Sequence, residues 1–139
     1  MIKGIGIDII EVERIKSALG RNSKFLQRIF TEKEIKYFEE NNFQAVSIAG
    51  NFAAKEAVVK ALGTGLRGFS WNQLEIQRDS LGKPMVILYG QAKSIAEALK
   101  IHEILITISH SRSYAVAQAI ALGNLQHIKG SVENYENCK

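Results

Sequence analysis

Residues 2–10, IKGIGIDII, alternate strictly along the chain and constrain its fold more than any other stretch. Period-two alternation with β-branched side chains predicts a β-strand. One face of this strand carries the isoleucines, Ile5, Ile7 and Ile9. The other carries two glycines and an acid, Gly4, Gly6 and Asp8. Glycines leave the backbone bare, so something bulky can lie directly against that face, next to a carboxylate that strands usually avoid.

A second stretch, NFAAKEAVVKALGTG (residues 51–65), predicts a helix that stops at two glycines flanking a threonine. At 100° per residue, Glu56 projects from a largely apolar stripe, with Lys60 one turn later. An i,i+4 salt bridge on a half-exposed face, worth ~0.2–0.5 kcal/mol, is the ordinary explanation. Alternatively, Asp8 and Glu56 converge on a hard cation such as Mg²⁺, which takes oxygen ligands and is usually completed by substrate phosphates.

Phosphate binding is the second hypothesis for this region. Lys60 could contact a phosphate oxygen, and the N–H groups of the following Gly-Thr-Gly loop are open to close approach. The known phosphate motifs do not match, because Ile9 replaces the third glycine of a dinucleotide fingerprint and GTGLRGFS lacks the Gly-Lys-Ser/Thr ending of a P-loop. His110, between two serines after a predicted strand, is a turn residue or a ligand contact.

The remaining pattern predicts a single α+β domain over residues 1–122, with a mainly antiparallel sheet packed with helices. Two short helices follow the first strand, and a capping box, Thr31 with Glu34, opens a third that reaches Glu40. Later elements are predicted at Trp71–Gln77, Pro84–Tyr89, Gln91–Ile101, 103–109 and 113–122. Among these, Gln91–Ile101 is the predicted helix, with Ala92, Ile95, Ala96 and Leu99 on its inner face, and the others are predicted strands. Residues 123–139 are polar and unpatterned, which predicts a tail.

Composition narrows the class of protein. The 139 residues are 46% hydrophobic and 23% charged, as in ordinary soluble globular proteins. Cys138 is the lone cysteine, so a disulfide framework and a cysteine zinc site are excluded, and a reducing cytoplasm is expected. Neither a signal peptide nor a run of ~18 apolar residues is present, so no membrane partner is expected. The net charge of +4 is compatible with nucleic acid, phosphorylated ligands or an acidic protein.

The basic residues Arg14, Arg21, Lys24 and Arg28 fall within about one quadrant if residues 11–30 are treated as a nearly continuous helical surface. A solvated face is the usual explanation of such a stripe. A basic stripe also suits nucleic acid or an acidic helical protein, and the lack of interleaved aromatics favours the protein. An RNA-binding module would leave Asp8 and Glu56 without a role, and a noncatalytic subunit of a larger assembly is a further alternative.

Four blocks taken together resemble one family. They are GIGIDIIEVERI, FAAKEAVVKALGTG, GKP and ISHSRSYAVAQAIA, in this order, covering residues 1–122. The chain is similar in these blocks to the bacterial holo-(acyl-carrier-protein) synthases, the small 4'-phosphopantetheinyl transferases. The resemblance implies transfer of the phosphopantetheine arm of coenzyme A to a serine of apo acyl carrier protein, releasing adenosine 3',5'-bisphosphate in support of fatty acid biosynthesis.

The resemblance also assigns roles to residues. It implies Mg²⁺ held by Asp8 and Glu56, a phosphate contact from Lys60, and a coenzyme A site bordered by Gly63, Thr64, Gly65 and His110. The stripe of Arg14, Arg21, Lys24 and Arg28 matches the surface that receives the carrier protein. Similar proteins are homotrimers with sites between subunits, and no nucleic acid partner is implied. The serine proton goes to Glu56 or to a water on the metal, and the sequence leaves both open.

This chain departs from similar sequences at three places. Asn51 stands where a basic residue commonly precedes FAAKE, and Lys24 stands where arginine is frequent, which keeps the charge and loses bidentate pairing. The tail after Gly123 is longer than in many members, and the sequence assigns it no role.

Overall fold

The computed structural model describes residues 1–124, which form two antiparallel sheets and five α-helices. In chain order the elements are β1 (Ile2–Glu11), α1 (Val12–Arg21), α2 (Phe25–Ile29), α3 (Glu32–Glu40), α4 (Ala45–Leu62), a 3₁₀ turn (Trp71–Gln73), β2 (Leu74–Arg78), β3 (Pro84–Leu88), α5 (Gly90–Ala98), β4 (Ile101–His110) and β5 (Tyr114–Gly123). The predicted α+β class with antiparallel pairing is confirmed.

The larger sheet has the order β1-β5-β4, and β2 pairs with β3 in a separate hairpin. In the larger sheet, directly opposed residues of neighbouring strands lie on the same face. The register of β1 and β5 therefore places one row rich in glycine and alanine against the helices. On β1 this inner row is Gly4, Gly6 and Asp8, opposite Ala121, Ala119 and Ala117 of β5. The outer row of β1 is Ile5, Ile7 and Ile9, opposite Ile120, Gln118 and Val116. The period-two prediction for residues 2–10 is therefore confirmed.

Helix α4 lies directly on the bare inner face of β1. A methyl group added at Gly6 would lie 1.9 Å from the carbonyl oxygen of Ala57, and one at Gly4 would lie 2.0 Å from that of Ala61. These distances are far below van der Waals contact, so only glycine allows the strand and helix backbones to approach this closely. Helix α4 is thus the element that covers the glycine face of β1, and it runs antiparallel to the strand.

Two apolar clusters hold the remaining elements together. One lies between α4, α5 and both sheets and is rich in alanine and isoleucine. The other lies under α1, α2 and α3 and contains the aromatic rings of Phe30 and Phe38, whose centroids are 4.9 Å apart. Ile10 and Trp71 contact both clusters. The two clusters therefore form one continuous interior around α4.

Several predicted boundaries are wrong in detail. Trp71–Gln73 is a 3₁₀ turn, so the predicted strand begins only at Leu74. Leu99 is 40% exposed and does not lie on an inner face, because α5 ends at Ala98 and Lys100 has a positive φ of 60°. Helix α4 begins at Ala45, six residues before the quoted stretch.

The domain prediction is only partly within the described residues. Strand β5 continues through Gly123, one residue past the predicted boundary, and most of the predicted tail (residues 125–139) lies outside residues 1–124. Within that described part of the chain, no helix is both long and apolar enough to cross a lipid bilayer.

Candidate active site

Asp8 takes its place from the close packing of β1 on α4. Two strand residues span about 6.7 Å and one helical turn about 5.4 Å, so Asp8 faces α4 roughly one turn before Ala57. Its side chain is only 18% exposed. Strand β1 runs on to Glu11, so Asp8 lies within the strand. The acid is thus fixed at the junction of strand and helix.

Lys60 closes this junction from the helix side. Helical side chains lean toward the N-terminus of their helix, which directs Lys60 back along α4 toward Asp8. Its ammonium donates to the carbonyl oxygen of Ile7 at 2.8 Å and to Asp8 Oδ1 at 3.2 Å. Lys60 therefore pairs with Asp8 on the strand, and not with Glu56 in an i,i+4 salt bridge along the helix. The Lys60 side chain stays 52% exposed, so its ammonium remains accessible.

Glu56 is half-buried and faces the same place. Burial raises the pKa of Glu56, and the nearby carboxylate of Asp8 raises it further, whereas Lys60 lowers it. Two carboxylates that repel each other beside a single lysine form a site that favours an added cation. The structure thus brings Asp8 and Glu56 to one cavity and Lys60 into contact with Asp8, whereas their predicted roles toward a cation and a phosphate stay predictions.

Both acids line a cavity of about 330 Å³. Its other walls come from β1, α1, α2 and α4, and they are mainly apolar: Ile9, Ile10, Arg14, Ile15, Ala18, Phe25 and Phe52. The Phe25 and Phe52 rings lie 6.5 Å apart, and Phe52 continues to Trp71 at 5.9 Å. The cavity thus joins a charged end, where Asp8 and Glu56 lie, to an apolar wall.

The four basic residues of the predicted docking surface lie on α1, on α2 and in the turn between these helices. Arg14, Arg21, Lys24 and Arg28 are all exposed, and Arg14 also lines the cavity with the two acids. The helical surface is not continuous, because α1 ends at Arg21, one residue after Gly20, and α2 begins at Phe25. The four side chains therefore come from two helices and the turn between them.

Other predicted site residues lie apart from this cavity. Gly63 is the left-handed cap of α4 with φ 76°, and Gly65 also has a positive φ of 63°, so the backbone conformation accounts for both glycines. Thr64 donates to the carbonyl oxygen of Gly65. His110 is the exposed last residue of β4 and pairs with Ala115, so β5 separates it from β1.

Two features escaped the sequence prediction. Lys55, adjacent to Glu56, is fully buried and paired with Glu34. Its apolar neighbours on the helix were the sequence signal that could have predicted this burial. Asn51 is 3% exposed and turned inward, where its amide donates to Ser47 and its oxygen accepts from Arg78 at 3.4 Å. The position that differs from similar sequences is therefore buried and contacts Arg78.

Comparison with known proteins identifies a family that this chain matches over most of its length. The model of the 4'-phosphopantetheinyl transferase superfamily matches residues 4–119. A protein of Alkaliphilus oremlandii named holo-(acyl-carrier-protein) synthase is 57% identical over 122 residues, which cover 88% of this chain and 100% of that protein.

Solved structures give the same result for the fold. The acyl carrier protein synthase of Plasmodium yoelii with ADP bound superposes with a TM-score of 0.82 at 39% identity, covering 89% of this chain and 97% of that one. The holo-(acyl-carrier-protein) synthase of Bacillus anthracis in complex with CoA (3',5'-ADP) gives a TM-score of 0.74 at 38% identity, covering 89% and 99%.

Proposed function

The chain belongs to the 4'-phosphopantetheinyl transferase superfamily, and on that basis we propose that it transfers the 4'-phosphopantetheine arm of coenzyme A to a serine of apo acyl carrier protein. The products are holo acyl carrier protein, used in fatty acid biosynthesis, and adenosine 3',5'-bisphosphate. The observation that carries the proposal is the meeting of Asp8 and Glu56 at one cavity, which Arg14 also lines, with Lys60 in contact with Asp8. A pyrophosphate ester and an acidic protein are the two substrates that such a site suits.

Magnesium is part of this proposal, and Asp8 with Glu56 would hold it. Among residues 1–124 no group of three or more potential ligand side chains could form a complete protein cage. Two carboxylates are nevertheless the usual protein share of a Mg²⁺ site, since waters and substrate phosphates supply the remaining oxygens. The raised pKa of Glu56 beside Asp8 fits this, because a cation would relieve their repulsion. When bound, the ion would neutralise charge on the pyrophosphate.

The chain's own residues then perform the remaining tasks. The serine oxygen forms a bond to the β-phosphorus while the bond from that phosphorus to the bridging oxygen breaks, and adenosine 3',5'-bisphosphate leaves with the bridging oxygen. Lys60 is exposed enough to turn from Asp8 to a phosphate oxygen and stabilise this leaving group. Glu56 lies at the same cavity and is one candidate acceptor for the serine proton.

The outer face of the larger sheet supports association of subunits, and we propose a homotrimer on the basis of the family resemblance. Ile5, Ile7 and Ile9 are between 62% and 66% exposed, which leaves a contiguous apolar strip on a single subunit. A partner subunit that covers this strip would also bring other elements near the edge strand β1. His110 and the Gly63–Gly65 loop lie outside the cavity of their own subunit, so we propose that they contribute to the coenzyme A site across the interface.

The proposal is tested by intact-mass spectrometry of an apo acyl carrier protein incubated with this protein, coenzyme A and Mg²⁺. We expect the mass of one phosphopantetheine to be added, and we expect no addition with a chelator or with Asp8→Ala. Glu97→Ala, which removes an exposed acid on α5, is the matched control and should keep full activity. No mass gain with a folded protein and a carrier that another transferase modifies would contradict the proposal. The cytoplasmic location stays a prediction.

A further inference from the structure

Lys55 is the most deeply buried charged residue on α4, with 0% of its side chain exposed. Its ammonium lies 2.6 Å from Glu34 Oε1 and donates to the carbonyl oxygens of Ile29 at 2.7 Å and Trp71 at 3.2 Å. Three N–H groups thus meet three oxygen acceptors. Every proton of a charged amine has a partner here, so Lys55 and Glu34 form a complete ion pair in the interior.

Glu34 is equally well satisfied. Its Oε1 accepts from the backbone N–H of Thr31 at 2.9 Å, in the predicted capping box of α3. Its Oε2 accepts from the N–H of Ile76 on β2 at 3.1 Å. The pair therefore joins four segments to α4: the last residue of α2, the start of α3, the 3₁₀ turn and β2.

Stability alone does not explain this arrangement. Burial raises the pKa of Glu34 and lowers the pKa of Lys55, which is the physical sign that removing both charges from water is costly, although each partner offsets the cost for the other. Buried ion pairs are often no more stabilising than apolar side chains of the same volume. What an ion pair adds is geometry, because its hydrogen bonds fix directions as well as distances.

The segment that needs such fixing is α2. It has only five residues and no side-chain N-cap, and isolated helices of that length do not persist in water. Yet Phe25 at its start forms the apolar wall of the cavity, and Arg28 belongs to the exposed basic surface. The carbonyl oxygen of Ile29, at its end, is the one that Lys55 holds.

We propose that Lys55, through its buried pair with Glu34, is a positioning residue for the transfer reaction. It fixes α2 against α4, so that Phe25 closes the cavity beside Glu56 and Arg28 faces the carrier protein. Neither side chain reaches solvent or substrate, so the effect is exerted through α2. The inference rests on the proposed function for the reaction and for the identity of the carrier, whereas the anchoring of α2 by Lys55 is independent of both.

The test uses the double variant Glu34→Gln/Lys55→Met in the full chain. Glutamine keeps one oxygen, which can accept from the N–H of Thr31 or of Ile76 but not from both, and methionine fills the volume of lysine, so we expect a folded protein of lower stability than wild type. We expect the amides of residues 25–30 to exchange with deuterium at least about tenfold faster, since the helix loses its anchor. The KM for the carrier should rise about fivefold or more, and the KM for coenzyme A should change less than about twofold.

A purely structural role would give a different pattern. Loss of folded protein lowers kcat and leaves both KM values unchanged, and Ile104→Ala, in the core away from α2, is the control that should show this. The fluorescence of Trp71, the single tryptophan, should shift in the double variant only, because its carbonyl and ring both belong to this cluster. Wild-type exchange in residues 25–30 together with a wild-type KM for the carrier would overturn the proposal.

Two further arms keep the outcome interpretable. If the methionine variant does not fold, Glu34→Gln/Lys55→Gln retains a donor one atom shorter and is measured in the same way. If the wild-type protein transfers no phosphopantetheine, the proposed function fails, whereas exchange and tryptophan fluorescence still test whether the pair fixes α2. Unchanged exchange and fluorescence would then overturn the positioning role on their own.

Discussion

Two lysines on α4, five residues apart, have opposite surroundings. Lys55 has no exposed side-chain surface and lies 2.6 Å from Glu34, which is itself only 1% exposed. Lys60 is 52% exposed and lies 3.2 Å from Asp8, which is 18% exposed. Both pairs connect α4 to an element distant in the chain. Burial is what separates them.

This difference in burial separates a charge that holds the fold together from a charge that is free to bind a ligand. A buried charge without its partner is costly, so Lys55 is committed to Glu34 and two carbonyl groups. A half-exposed ion pair contributes about 0–1 kcal/mol and exchanges readily with other partners. Lys60 can therefore leave Asp8 for a ligand at little cost, and Lys55 cannot.

The variant Lys55→Met alone is the strongest test of whether the buried pair contributes more to stability than the exposed pair. Glu34 would then be a buried carboxylate without a cation, so we expect a loss of about 3–5 kcal/mol in the free energy of unfolding. The thermal midpoint should fall by roughly 10–15 °C, measured by circular dichroism. Lys60→Met, measured alongside, should change it by no more than a few degrees. Equal midpoints for the two variants would contradict the distinction.

The second prediction concerns Lys60→Met as a chemical change. Removing one cation from a phosphate site typically costs 10²–10³ in rate, so we expect kcat/KM for transfer to fall about 100-fold. The fold should stay intact, as judged by the same melting experiment. Transfer kinetics with a purified apo carrier protein provide the measurement. Wild-type kcat/KM in this variant would remove Lys60 from the site.

The third prediction extends the comparison to the exposed basic surface. Arg14→Glu places a negative charge where an acidic carrier protein would dock, so we expect carrier binding to weaken about tenfold or more. Coenzyme A binding should change less, and Lys93→Glu on α5 is a matched control away from this surface. The measurement is a titration of the carrier protein, and separately of coenzyme A, against each variant. Identical carrier curves for Arg14→Glu and the wild type would refute the docking surface.

The smallest expected effect is a gain in stability. Because the folded protein raises the pKa of Glu56, it holds that proton to higher pH than the unfolded chain does. The favourable contribution is present at low pH and is lost as the pH rises through the raised pKa. Glu56→Gln should therefore melt about 1–3 °C higher than wild type at pH 7, with a smaller difference near pH 5. A lower midpoint at pH 7 would contradict this, whatever the effect on transfer.

Local patterns in the sequence predicted much of this molecule. The alternation of residues 2–10 fixed which side chains share a face, and the capping box of Thr31 and Glu34 was found where it was predicted. The convergence of Asp8 and Glu56 was also predictable, because two acids on otherwise apolar or bare faces need a common explanation. The first two of these inferences depend only on neighbours within one strand or one helical turn.

The rest depends on contacts between distant segments, which periodicity does not encode. Glu34 and Lys55 are 21 residues apart, so the capping box showed only half of the partners of Glu34. The strand start at Trp71 was wrong because the chain makes a 3₁₀ turn there, where the carbonyl of Trp71 accepts from Lys55. The inward turn of Asn51 likewise depends on Arg78, which arrives from β2.

The bare contact between β1 and α4 limits how far the proposed active site can deform. Side chains accommodate stress by changing rotamers, but at Gly4 and Gly6 the helix carbonyls meet a backbone that has none. The spacing between the strand that carries Asp8 and the helix that carries Glu56 is therefore set by main-chain atoms alone. Side chains elsewhere in the interior can therefore change rotamer without changing the distance between Asp8 and Glu56.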